Sequence, residues 1–439
     1  MIVRKGRWLL LVMLLLACAG CAREQAAIPP GRVVIRVWSG WTGQEQDHFE
    51  KALADFNRSQ SRVWAVNMST VEDDGGVMRA LTAGTPPDAF FLWEPAYLGA
   101  LAANRAILPL DDFIRESDLK VSDLTPGALG QLEYRGHIYA MPFLIDTMAL
   151  YWNKAVFREV GLDPERPPRT LSELERYIRL LTKRDKHGRL QRVGFEMPSL
   201  ASFIALFGGP LYDQRTGRIV LTDPRSLEAA RFYKHLYDLQ GGGQRLEAFS
   251  QGFGAFDSNQ NHFLVGKTAM MFGGEWWCEV ARRFGPHVDF GVAPLPYPDQ
   301  HPEQAGTTFL GGNPCCIARA SKHPREAFAL LRWMQTYRAQ EKFASEMFNC
   351  PNYRPVLNSP LLTTGSRWKV AFGKVCRTAD SPRARWFPAT PVNLLYAREL
   401  DTAAQYLARG TKTPERALRE VEQRVQAELD RFHGRRTVR

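Results

Sequence analysis

Aromatic side chains stand where segments of this chain end: Trp38, Trp41, Trp93, Phe143, Tyr151, Trp152, Trp276, Trp277 and Trp386. Carboxylates sit near them at Glu94, Asp146 and Glu275. Flat rings suit the C–H faces of sugars, and carboxylates, amides and arginines suit the hydroxyl rims. A few convergent polar groups between aromatic walls make the usual small-molecule pocket. Core packing is the commoner role of any one tryptophan. Trp41, Trp93 and Trp276, flanked by glycine or placed at a strand end, are the better candidates for a wall. A second chemistry is open to the carboxylates, because a glycosidase needs two facing acids. Glu94, Asp146 and Glu275 are the acids available for it. No G-x-S-x-G, H-E-x-x-H or Walker loop occurs, and no two of the 9 histidines stand at i, i+4. The expectation is a binding protein and not an enzyme, with no metal and no cofactor.

Strands and helices must position these residues. "VVIRVW" (33–38) reads as a short buried strand, and Phe49, Ala52, Leu53 and Phe56 recur at helical spacing after it. "RVWAVNM" and "DAFFLW" (88–93) are further strands, with "VMRALTAG" a short helix between them. Alternating strands and helices predict an α/β layer with a mostly parallel sheet. Ligands of such sheets sit outside the carboxyl ends of the strands, where Trp38 and Trp93 lie. Later helices are announced by caps: Thr170 with Glu173, Asp223-Pro224, Pro324 and Thr413-Pro414. Pairs of glycines break the chain at 208–209, 273–274 and 311–312.

The 439 residues exceed what one core usually serves, so two lobes are expected. The net charge of +11 is scattered, which reads as a solvated surface, and no basic stretch joins a nucleic-acid signature. Arg4, Lys5 and Arg7 precede a short apolar run, Trp8 to Ala17, too short to span a membrane. Residues 1–21 are therefore expected to be a secretory leader. Its end, "LLLACAGC", resembles the lipobox of bacterial lipoproteins. That resemblance implies acylation of Cys18 or Cys21, with Cys18 favoured by the aliphatic residue three before it. Residues 22–31 would be a tether. Cys278, Cys315, Cys316, Cys350 and Cys376 show no C-x-x-C spacing. Some could pair, Cys350 with Cys315 or Cys316 for example, but the sequence leaves the connectivity open.

Four stretches carry a family resemblance: "TAGTPPDAFFLWEPAYLGALAANRAILPLDDFI" (82–114), "GHIYAMPFLIDTMALYWNKAVFREVGLDPERPPRTLSEL" (136–174), "FLVGKTAMMFGGEWW" (263–277) and "FLGGNPCCIARASKHPREAFALLRWM" (309–334). Together they resemble the bacterial extracellular solute-binding proteins of the sugar-transporting group, relatives of maltose-binding protein. The resemblance implies an α/β, two-lobed periplasmic-binding-protein-like fold, each lobe a mostly parallel sheet flanked by helices, with the ligand cleft at the hinge. It implies an N-lobe of 32–145 with 308–357 and a C-lobe of 146–307 with 358–439. It assigns cleft positions to Ser39, Trp41, Trp93, Glu94, Phe143, Asp146, Trp276, Gly312, Asn313 and Arg354. Glu275 stands where the family usually has proline, adding a carboxylate there. Implied partners are a small-molecule carbohydrate, an ABC permease and, through the acyl chain, the membrane. The expected state is a monomer on the outer face of a bacterial membrane, without nucleic acid. A phosphorylated or acidic sugar is the alternative ligand.

Overall fold

Val33–Trp38 alternates inward and outward, and its register with Val63–Asn67 is parallel from Val33 opposite Val63 onward. The computed structural model describes residues 28–68, 74–93 and 95–437. Cys18, Cys21 and Glu94 lie outside the described residues. Among those described, 11 strands join one sheet. They are β1 (Val33–Trp38), β2 (Val63–Asn67), β3 (Ala89–Phe91), β4 (Ala140–Asn153), β5 (Lys183–Arg184), β6 (Leu190–Glu196), β7 (Thr268–Gly274), β8 (Phe290–Ala293), β9 (Thr308–Ile317), β10 (Cys350–Pro351) and β11 (Ala384–Trp386). The order is β2-β1-β3-β9-β4-β7-β6-β5, with β8 and β10 on β4 and β11 on β9.

The pairs β1–β2, β1–β3, β6–β7 and β9–β11 are parallel. The strands that join the two halves run antiparallel: β4 against β9, β7, β8 and β10. β4 has 14 residues, about 46 Å of extended chain. It serves both halves and changes partners midway. Residues up to Thr147 pair with β9, and residues from Met148 onward pair with β7.

Helices form where the apolar spacing and caps foretold them. Gly43–Ser59 buries Phe49, Ala52, Leu53 and Phe56. Thr170 caps Leu171–Leu181 by accepting from the Glu173 N–H, and the Glu173 carboxylate accepts from the Arg169 N–H at 2.7 Å. Asp223 caps Pro224–Gln240 in the same manner.

Side-chain parity along β4 divides the interior. Met141, Phe143, Ile145, Ala149 and Tyr151 face one side, the back. There they join a single apolar cluster that continues through both halves, from Ile35 and Phe49 to Phe263, Trp277 and Phe372. The front carries two separate clusters. One contains Phe90, Leu98, Ala140 and Cys316, and the other Leu150, Trp152, Phe195, Phe203 and Tyr396. The halves thus share a core behind the sheet and part company in front of it. The first half, with β1–β3, is the N-lobe, and the half with β5–β8 is the C-lobe.

Candidate functional site

β4 is buried along its length except at Asp146 and Met148. These two are spaced i, i+2, so they face the same way, toward the front. β9 opens at Phe309, Gly311 and Asn313. Gly311 pairs with Asp146, and Phe309 pairs with Arg385 of β11. Asp146, Met148, Phe309, Gly311, Asn313 and Arg385 therefore make the floor of a crevice between the two front clusters. A Cβ at Gly311 would stand 3.4 Å from Asp146 Oδ2, so the carboxyl lies along this glycine. Beyond Gly312 a β-bulge shifts the register, and the Asn313 amide donates to the Leu92 carbonyl at 3.4 Å. Across the rim, Phe387 packs on the C-lobe cluster and Ala389 on the N-lobe cluster.

Gly273-Gly274-Glu275-Trp276-Trp277 supplies the next wall. A Cβ on Gly274 would come within 1.9 Å of the Trp276 ring, and one on Gly273 within 2.6 Å of Trp277. Gly274 pairs with Met148 and Gly273 with Ala149, so the two glycines face opposite sides of the sheet. Each lets one indole lie flat on the strand. Trp276, half-buried over Gly274, packs on the margin of the cluster that runs through both halves, and Trp277 packs within it against Phe256 and Phe263. The two indoles diverge because a helix, Trp277–Phe284, begins here, and not because the segment is extended. At the N-lobe end Trp93 is 39% exposed, and its ring lies over Gly40, where a Cβ would fall 1.5 Å from Nε1.

Glu275 is fully buried. Where β4 changes partners, its strand edge would leave backbone donors unmatched. Thr147 N–H donates to Glu275 Oε2 at 3.0 Å, and Cys350 N–H to Oε1 at 3.3 Å. The carboxyl replaces the missing strand between β7 and β10. On the other edge the Thr308 hydroxyl does the same, accepting from Met148 N–H at 3.1 Å and donating to the Met148 carbonyl at 2.9 Å. Asp146 hydrogen-bonds Glu275. Burial, then the charge of Asp146, push the Glu275 carboxyl well above its usual range, against the pull of the two N–H donors. Burial likewise raises Asp146, with Glu45 adding to the rise and the Glu275 hydrogen bond opposing it. Partial burial raises the carboxyl of Glu45, in the first turn of Gly43–Ser59. Arg283 of the C-lobe and His48 act to lower it.

Several positions expected in the cleft are buried or paired within the chain. Trp41 is 5% exposed, its ring 4.8 Å from Phe49 and from Phe91, and Phe143 is fully buried against Phe343. Both belong to the back cluster because their strand and loop parity turns them there. Glu275 is a backbone clamp and not a crevice wall. Arg354 adjoins Val356 and Leu357 of the back cluster, and its Nε meets Asp380 Oδ1 at 2.8 Å. Ser39 is buried, with its hydroxyl 3.4 Å from Asn67 Oδ1. Gly312, buried at φ +131°, lets β9 approach Leu144 and Ile145 of β4. Trp93 is exposed, and Asp146, Trp276 and Asn313 are partly buried. Sequence reasoning missed Met148, Phe309 and Arg385; the alternation in "TFLGGN" was the available signal for Phe309. Among the described residues no group of three or more His, Cys, Asp or Glu is placed to hold a metal ion, and no helix is long and apolar enough to cross a membrane. A recess of about 390 Å³ beside Glu196 and His262 lies wholly within the C-lobe, so an occupant would grip one lobe only.

Residues 42–341 match the family described as bacterial extracellular solute-binding protein. The maltotriose-binding protein of Pyrococcus abyssi is 25% identical over 343 residues, 77% of this chain and 70% of its own. The sn-glycerol-3-phosphate-binding periplasmic protein of Escherichia coli K12 is 22% identical over 367 residues, 80% of this chain and 82% of its own. A solved structure described as CpMnBP1 with mannotriose bound superposes with a TM-score of 0.76 at 26% identity. It covers 90% of this chain and 100% of that one.

Proposed function

The chain belongs to the bacterial extracellular solute-binding protein family, and from that membership and the crevice we propose that it binds a neutral mono- or oligosaccharide for an ABC importer. The observation that carries this is the crevice floor at the point where β4 changes lobes. Asp146 and Asn313 offer polar groups to hydroxyls there, and the Trp276 and Trp93 rings offer apolar faces. The relatives named for maltotriose and mannotriose support a sugar as the ligand class. A ligand held by both lobes favours the closed arrangement, whereas one held by a single lobe shifts nothing. Closure would then present a joint surface to a membrane permease, with the chain held by an acyl group at Cys18 or Cys21. We place the hinge near 145–148 and 308–311, where β4 changes partners, and at 351–358, where the chain leaves β10.

A phosphorylated or acidic sugar is the weaker reading, although one relative is named for glycerol phosphate. Arg354 is already paired with Asp380, and Asp146 and Glu45 would repel an anion. Thermal-shift screening of a carbohydrate panel, followed by calorimetric titration, tests the proposal. A neutral saccharide should raise the melting temperature and quench tryptophan fluorescence with little salt dependence. A shift from glycerol phosphate alone, abolished by salt, would move the ligand to the anionic class.

A further inference from the structure

Among the described residues five cysteines are buried, Cys278, Cys315, Cys350 and Cys376 in the back cluster and Cys316 in the front cluster of the N-lobe. Ile145 of β4 pairs with Gly312 of β9 on one edge and with Cys350 of β10 on the other. Cys350 is therefore separated by a whole strand from Cys315 and Cys316, which removes the pairing the sequence left open. Its neighbour is Cys376, the last residue of the helix Arg367–Cys376. The Cys350 thiol donates to the Cys376 carbonyl at 3.6 Å, which brings the two cysteines together at the end of this helix. Both are fully buried. Cys278 is the third thiol nearby, and the Tyr151 hydroxyl stands 3.6 Å from it while donating to the Gly274 carbonyl at 2.7 Å.

We propose that Cys350 and Cys376 are joined by a disulfide when the chain folds outside the cytoplasm, with Cys278, Cys315 and Cys316 remaining thiols. The proposal rests on export, which the family membership supports, and not on the identity of the ligand. Thiols brought together in an oxidising compartment pair readily. The oxidant is a protein disulfide of that compartment. One thiolate, its proton released to water, attacks a sulfur of that disulfide, forming a mixed disulfide and expelling one thiolate of the donor. The second cysteine, deprotonated, attacks the mixed disulfide, forms the Cys350–Cys376 bond and expels the other donor thiolate. Two electrons pass to the donor, which leaves as a dithiol. Exchange must precede burial, because burial in the finished fold pushes the Cys350 and Cys376 thiols up and disfavours the attacking thiolate. The bond would tie β10, which returns along the hinge, to a helix packed on β8 of the C-lobe. It would staple the continuous back cluster and leave the divided front free to open.

The test uses the whole chain secreted by a host that oxidises exported thiols. The protein is denatured without reductant, alkylated and cut with trypsin. The peptide 343–367, carrying Cys350, should be found linked to 375–377, carrying Cys376, with Cys278, Cys315 and Cys316 alkylated. Alkylation of all five, or a link through Cys278, Cys315 or Cys316, overturns the proposal. A second measurement needs no variant: reductant present during thermal unfolding should lower the Tm of the secreted protein by several degrees. A Tm that does not move counts against the bond. The pair Cys350→Ser and Cys376→Ser, where it folds, should remove this reductant effect.

Discussion

Glu275→Gln removes half of a backbone clamp while keeping its shape. The carboxyl accepts one N–H on each oxygen, from Thr147 at 3.0 Å and Cys350 at 3.3 Å. Glutamine has one acceptor oxygen, and its NH₂ would face the other donor. One buried N–H loses its partner, which costs about 1–3 kcal/mol. Glu275→Ala orphans both donors and opens a void, for roughly 2–6 kcal/mol before the void is counted. Urea unfolding should show the loss as a lower midpoint with an unchanged slope. Sugar titrated into the folded variant should bind within about twofold of the parent, since this side chain does not face the crevice. The pH dependence has a definite sign. Asp146 and Glu275 are both raised on folding, so protonation favours the folded chain. Their contribution is complete below the unfolded carboxylate range and is lost as pH rises through the folded values. Asp146 rises from 3.8 to about 6, which corresponds to at most about 3 kcal/mol lost between pH 4 and 6. In Glu275→Gln the amide can donate to the Asp146 carboxylate, so this decline should flatten. The reasoning fails if Glu275→Ala lowers sugar affinity a hundredfold while leaving the unfolding midpoint where it was. That result would make Glu275 a ligand contact.

Trp41→Ala should cost about 3–5 kcal/mol of stability, the usual range for a large ring removed from a core. Trp93→Ala should change stability by under about 1 kcal/mol but weaken saccharide binding by up to roughly tenfold, as loss of an aromatic contact would; paired unfolding and titration separate the two. Gly312→Ala should destabilise by about 1–3 kcal/mol, because its Cβ would meet the Leu144 carbonyl at 2.8 Å at a φ of +131°; thermal unfolding reads this directly. Arg354→Ala breaks a half-exposed ion pair with Asp380, so calorimetry should find stability within about 1 kcal/mol and neutral-sugar affinity unchanged.

Local pattern was enough for the elements. Strand "VVIRVW", the helix carrying Phe49 to Phe56, and the capped helices after Thr170 and Asp223 form where periodicity and caps predict, because these signals act within a turn or two of chain. The expectation of Asp146 near a lobe crossing came from the family resemblance and not from local pattern. The double glycine before Trp276 and Trp277 signalled close approach of two rings, but not that one ring lies within the shared cluster and the other on its margin. That depends on the register of β7 against β4, which no local stretch contains. That Glu275, Trp41 and Phe143 are buried and Arg354 is paired was not legible for a like reason. Glu275 is decided by backbone donors 128 and 75 residues away, and Arg354 by an acid 26 residues away. The cysteine neighbours depend on which edge of β4 each strand joins. Sequence by itself determined which segments fold and what chemistry they could offer. Only tertiary structure decided which of those side chains face water, because facing is set by strand parity and by partners that meet when the two lobes are assembled around one shared strand.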